Sequence, residues 1–163
     1  MNTRQAETVS VPSRIELGKH SASVYRAMRA FAKAVADLGL EPSLEELVKI
    51  RASQINGCAY CIDMHTIDAE ALGETPQRLY ALSAWRETPF FTARERAALA
   101  LTEAATLIAE DGVPDEVYEE AAEHFDETEL AALIWLVAVI NSWNRAMITA
   151  RATPGNHHPR PRH

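Results

Sequence analysis

Ser43-Leu44-Glu45-Glu46-Leu47-Val48-Lys49-Ile50-Arg51-Ala52-Ser53-Gln54-Ile55-Asn56-Gly57 runs directly into Cys58-Ala59-Tyr60-Cys61-Ile62-Asp63-Met64-His65, two helical signals separated by one turn signal. Leu44, Leu47, Val48, Arg51 and Ile55 recur at the spacing of one helix face, and Ser43-x-x-Glu46 reads as a capping box at its start. Asn56-Gly57 breaks that period. A second helix is predicted from about Cys58 to Leu72, stopped by Gly73 just past its end.

Upstream, Val24, Met28, Phe31, Ala32, Val35 and Leu38 keep helical spacing as far as Gly39, whereas residues 1–20 show no sustained period and read as an extended arm. Downstream, Thr75-Pro76 opens a short helix through Trp85, and Thr92 with Glu95 caps another that ends near Asp111-Gly112. Pro114 opens the next, and Asp126-x-x-Glu129 caps the last and longest, which reaches about Arg151. Pro154-Gly155 and the His- and Pro-rich residues beyond are expected to fray. No alternation of apolar and polar residues is long enough for a strand, so the expected class is all-α, a compact bundle of about six to seven helices. The expected organisation is an N-terminal arm (1–14), one helical domain (15–152) and a flexible C-terminal tail (153–163).

A chain of 163 residues with 47% hydrophobic residues can bury a core without a disulfide staple. The net charge of -7 argues against nucleic acid or an anionic membrane as partner, and Arg160 and Arg162 do not supply a basic face. Met1 to Glu7 lack the charged start and apolar core of a signal peptide, so the expected compartment is the cytoplasm, where thiols stay reduced. Leu130 to Ile140 is apolar almost all round, as in a helix central to a core or shared with another subunit, and is too short to span a membrane.

Cys58 and Cys61 are the only two cysteines, placed at a helix start with His65 one turn beyond the second. A C-x-x-C pair there can close a small disulfide ring, and the helix N-terminus favours thiolate. Cys58 and His65 are separated by about 10 Å along the axis, so His65 can serve Cys61 and not Cys58. Its side chain also leans toward the N-terminus, the direction of Cys61. Cys61 is the candidate nucleophile and Cys58 the resolving thiol: a peroxide would give a sulfenic acid at Cys61, and condensation with Cys58 would release water.

Other readings stay open at this point. The cysteines could be small buried hydrophobes. Alternatively, C-x-x-C and His65 supply three zinc ligands without an evident fourth, unless folding brings His124. His20, His157, His158 and His163 read as solvated, with no ligand role. Glu46 reads first as the capping residue and as an ordinary surface partner of Lys49.

Glu46, the run Ile50 to Gly57 and the run Cys58 to His65 resemble the core of the alkylhydroperoxidase D family, within the carboxymuconolactone decarboxylase-like superfamily. Phe91 to Leu99 and Asn141-Ser142-Trp143-Asn144-Arg145 resemble further segments of single-domain members, so the likeness extends from about Ile15 to Ala152. It implies an all-helical subunit that forms homotrimers or homohexamers, with peroxidase and disulfide-exchange activity. By the same resemblance Cys61 is the thiol oxidised to sulfenic acid, Cys58 its partner, and His65 and Glu46 form a proton relay. Tyr60 departs from the pattern, since better-studied members place a histidine between the cysteines, and a phenol is a poor base at neutral pH.

The resulting expectation is a thiol-dependent peroxidase or disulfide reductase that takes a hydroperoxide as oxidant and a thiol or dithiol, small or protein-borne, as electron donor. No flavin, haem or nucleotide motif is present, so no cofactor is expected and electrons arrive by thiol exchange. The alternatives are a lactone decarboxylase and a non-enzymatic scaffold that holds zinc or senses redox state.

Overall fold

Pro42, whose fixed φ suits the first helical position, starts the helix that organises the molecule. In the computed structural model, which describes residues 8–159, this helix spans Pro42–Asn56 and is α3 in a chain of nine α-helices, with no strand among the described residues. Before it come α1 (Leu17–His20) and α2 (Ala22–Ala36). After it come α4 (Ala59–Ala71), α5 (Pro76–Ala81), a 3-10 turn (Leu82–Glu87), α6 (Ala93–Thr106), α7 (Ile108–Asp111), α8 (Asp115–His124) and α9 (Glu127–Ala150). The all-α expectation holds. The count exceeds six to seven because α1 and α7 are four-residue pieces, α7 being cut from α6 where Leu107 leaves helical geometry.

Several local signals resolve as read. Gly57 ends α3 in the left-handed conformation at φ 72°, which only glycine adopts without strain. Complete capping boxes start α6, from Thr92 and Glu95, and α9, from Asp126 and Glu129. Two expectations are corrected. Residues 1–20 are not extended throughout, since Leu17–His20 is helical and the Arg14 amide donates to the Ala150 carbonyl at 2.9 Å. Ser43 is not a cap either: the helix begins one residue earlier, its cap position is Glu41, and no side chain bonds there. Glu46 is thereby released from the N3 role and turned inward. Met1 to Glu7, Arg160, Arg162 and His163 lie outside the described residues.

The central helix is α9. Its Leu133, Leu136 and Val137 meet Leu44 and Val48 of α3 and Ala98 and Leu101 of α6, all buried. Each such side chain contributes about 1.5–3 kcal/mol by leaving water. By length and hydropathy α9 could cross a membrane, yet these contacts make it the core helix of the bundle. Burial is not all-round: Ala131 and Ala138 are exposed, and so are the larger Ile134 and Trp135, at 46% and 53%. A second cluster joins Leu47 and Ile50 to Leu79, Leu82, Trp85 and Phe91. A third sets Cys58, Cys61 and Met147 beside Tyr25, Tyr60 and Trp143.

A buried polar network fixes the end of α3 against α9. Asn56 donates to Asn141 and Asn144, each at 2.9 Å, Asn144 donates to Ser53 at 2.9 Å, and Asn141 donates to Thr106 at 3.0 Å. The Cys58 amide then donates to the Ser53 carbonyl at 2.9 Å. The turn that carries the first cysteine is therefore tied directly to this network.

Candidate redox site

Cys58 is the N-cap of α4, and its Sγ accepts a hydrogen bond from the Cys61 amide at 3.3 Å. One helical turn separates the two residues, their Cα atoms are 5.3 Å apart, and the sulfurs are joined as a disulfide. Both side chains are 1% exposed. Cys61 nevertheless lines an open cleft of about 1330 Å³ between α2, α3, α4 and α9. Cys58 is not among the lining residues, which places Cys61 at the accessible side and Cys58 behind it.

His65, one turn beyond Cys61, lines the same cleft and meets Glu46 of α3, with Nδ1 to Oε2 at 2.8 Å. Lys49 donates to the other Glu46 oxygen at 2.8 Å and to Glu45 at 3.1 Å. The Glu46–Lys49 pair is thus not the surface pair expected from spacing, for its side chains are only 10% and 18% exposed. Burial would push the Glu46 carboxyl up, but the His65 hydrogen bond and the Lys49 charge outweigh it and hold the group below its ordinary value. Burial likewise opposes the Lys49 charge, and Glu46 and Glu45 overcome it, raising the ammonium. An ionised Glu46 accepts the Nδ1 proton of His65 and leaves Nε2 as the basic nitrogen. This is the orientation a general base beside a thiol requires.

Tyr60 lines the cleft from the turn between the cysteines. Burial, reinforced by Tyr25 and Asp63, raises its phenol above the ordinary value, so it stays neutral and can donate but not act as base. Tyr25, Met64, Trp143 and Met147 give the remaining wall an apolar character, with Tyr25 and Trp143 in an edge contact at 5.1 Å.

All four residues singled out in the sequence, Glu46, Cys58, Cys61 and His65, therefore gather at one place. The zinc set of two cysteines, His65 and His124 does not form. The carbonyl of His124 instead accepts from Arg94, which also pairs with Glu41 and Glu129, in a separate corner of the bundle. His20 and His158 are exposed. His157 is a correction: its Nε2 lies 2.7 Å from Asp68 Oδ1, and the Gly155 amide donates to Asp63 at 2.8 Å, so the tail touches α4 at two points. Asp68 and His157 were missed in the sequence. Asp68 follows His65 by three residues on the same helical face, a signal that was available, whereas nothing in the tail beyond its histidine content points to α4.

Comparison with known proteins fits this geometry. The model of the carboxymuconolactone decarboxylase family matches residues 22–104. The chain is 47% identical over 123 residues to the uncharacterised protein YdfG of Bacillus subtilis, covering 76% of this chain and 84% of that protein. It is 34% identical over 111 residues to the uncharacterised protein YnjA of Escherichia coli, covering 66% of this chain and 60% of YnjA. Among solved structures, a protein of unknown function from Agrobacterium tumefaciens, provisionally described as the antioxidant defence protein AhpD, superposes with a TM-score of 0.87. It shares 37% identity, over 90% of this chain and all of that one. The chain accordingly belongs to the carboxymuconolactone decarboxylase family, as an alkylhydroperoxidase D-like member of its superfamily.

Proposed function

We propose that the chain is a thiol-dependent peroxidase, turned over by disulfide exchange with a dithiol donor. The observation that carries this reading is a C-x-x-C disulfide whose second cysteine shares a cleft with a His65–Glu46 pair oriented as a base. In the reduced chain His65 Nε2 takes the Cys61 proton. The thiolate attacks one oxygen of a hydroperoxide, the O–O bond breaks, and His65 returns the proton to the departing alkoxide, giving an alcohol and a sulfenic acid at Cys61. Cys58 then attacks that sulfur, the S–O bond breaks, water leaves, and the disulfide forms. A dithiol donor reduces it in two exchange steps and leaves as its own disulfide. Membership in an alkylhydroperoxidase D-like family supports the peroxidase reading over a lactone decarboxylase, because nothing in lactone decarboxylation calls for the paired thiols.

The test is a trapping experiment with a sulfenic-acid reagent. Cys58→Ser protein treated with mild hydroperoxide should carry the adduct at Cys61, while Cys61→Ser should lose reactivity. Wild-type protein should lose both thiols together without becoming a covalent dimer. An adduct at Cys58 would reverse the roles, and thiols that survive peroxide would refute the function.

A further inference from the structure

We propose that the cleft holds a divalent transition-metal site, formed by Glu46, His65 and Asp68 and completed by His157 from the C-terminal tail. Among the described residues one group of three or more histidine, cysteine or carboxylate donors converges, and it is Glu46, His65 and Asp68, with ligand atoms within 4.8 Å of one another. It includes neither cysteine nor His124. His157 lies outside that group but lines the same cleft and meets Asp68 at 2.7 Å, so a second imidazole stands next to the cluster. A tetrahedral zinc ion with bonds near 2.1 Å spaces its donors about 3.4 Å apart, a contraction that side-chain rotation can supply.

Charge points the same way. Glu45, Glu46 and Asp68 line the cleft with Lys49, and Arg29 and the Lys33–Asp37 ion pair line it too. Carboxylates outnumber the ammonium and guanidinium groups there, which favours a bound cation. Two imidazoles with two carboxylates select zinc, nickel or copper rather than magnesium or calcium, which prefer oxygen donors alone. The ion takes the place of the proton shared by His65 and Glu46 and of the one shared by His157 and Asp68. Occupancy therefore silences the base beside Cys61, which makes the site inhibitory rather than catalytic. Lys49 keeps its contact with the second oxygen of Glu46 and with Glu45.

The experiment uses zinc chloride and a competing chromophoric chelator on the full chain in its disulfide form, which offers no thiol ligand. One zinc should bind per chain, and Asp68→Ala and His157→Ala should each weaken it at least about tenfold, while His124→Ala leaves it unchanged. Cobalt(II) in place of zinc should show d–d absorption without sulfur charge-transfer bands. Absence of one-to-one binding, or affinity indifferent to both Asp68→Ala and His157→Ala, would overturn the proposal. Because the oxidised chain cannot turn over peroxide, this result stands or falls separately from the peroxidase reading.

Discussion

Replacing Glu46 by glutamine separates what this carboxylate does for the fold from what it does for the thiols. It accepts two charge-assisted hydrogen bonds at 2.8 Å, from Lys49 and from His65. Such bonds contribute about 1.5–3 kcal/mol each. Glutamine keeps one acceptor oxygen for Lys49 and turns its NH2 toward His65, which then must accept at Nδ1 and carry its proton on Nε2. The Lys49 bond survives with only its donor charged, and the other survives only in the opposite tautomer. The net loss should be about 2 kcal/mol, a fall of about 4–8 °C in melting temperature for a chain of this size. The catalytic loss should be larger, because Nε2 is no longer basic: turnover of hydroperoxide with a small dithiol should fall by about 10²-fold or more. Ser43→Ala is the control, since Ser43 is exposed and caps nothing, and it should stay within about 0.5 kcal/mol of wild type. Thermal melts followed by circular dichroism and a coupled peroxide assay read the two effects. A Glu46→Gln protein with wild-type turnover would refute the relay, and one with an unchanged melt would refute the energetic role of the buried pair.

Asn144→Ala should lower stability by about 1–3 kcal/mol in denaturant titration, because it removes the donor to Ser53, which keeps only its own bond to the Lys49 carbonyl, and an acceptor from Asn56 inside the core. The exposed Ile134 and Trp135 on α9 should be covered by another copy of the chain; light scattering should show a trimer or larger, and Trp135→Asp should shift it toward monomer. Glu103 bonds Arg51 at 2.8 Å, Trp85 at 2.9 Å and Arg86; although burial opposes its charge, these partners hold its carboxyl below the ordinary value. Its contribution is therefore present above the unfolded carboxylate value of about 4.3 and lost as pH falls through the lower folded value, so Glu103→Gln should flatten the acid side of the stability profile.

The helical course was legible because periodicity and punctuation agreed: Gly57 and Gly73 end their helices, and Thr92 and Asp126 cap theirs. The Cys58, Cys61 and His65 stripe was legible for the same reason, since all three belong to one turn-by-turn run. Glu46 was placed by resemblance and misread by local pattern. Ser43-x-x-Glu46 satisfies the capping spacing, but Pro42 starts the helix first, and a buried carboxylate with two partners is more stable than an exposed cap. Asp68 and His157 are joined across 89 positions, a contact decided by where the tail lands after α9. No local spacing encodes that landing.

The sulfur at the head of α4 has a consequence for how electrons reach the site. Serine or aspartate oxygens cap helices better than sulfur, which is a weak acceptor, so the first turn of α4 is held more loosely than an oxygen-capped turn would be. Cys58 and Cys61 are each only 1% exposed, so in the proposed disulfide exchange a donor thiolate would find little of either residue to reach while that turn stays closed. Fraying of a single turn removes the cap and uncovers the bond in one movement, leaving the rest of α4 and its hold on Glu46 in place. In the proposed exchange, entry to the disulfide would then be governed by the opening equilibrium of a helix end, and the exchange rate of the Cys61 amide proton should gauge it directly.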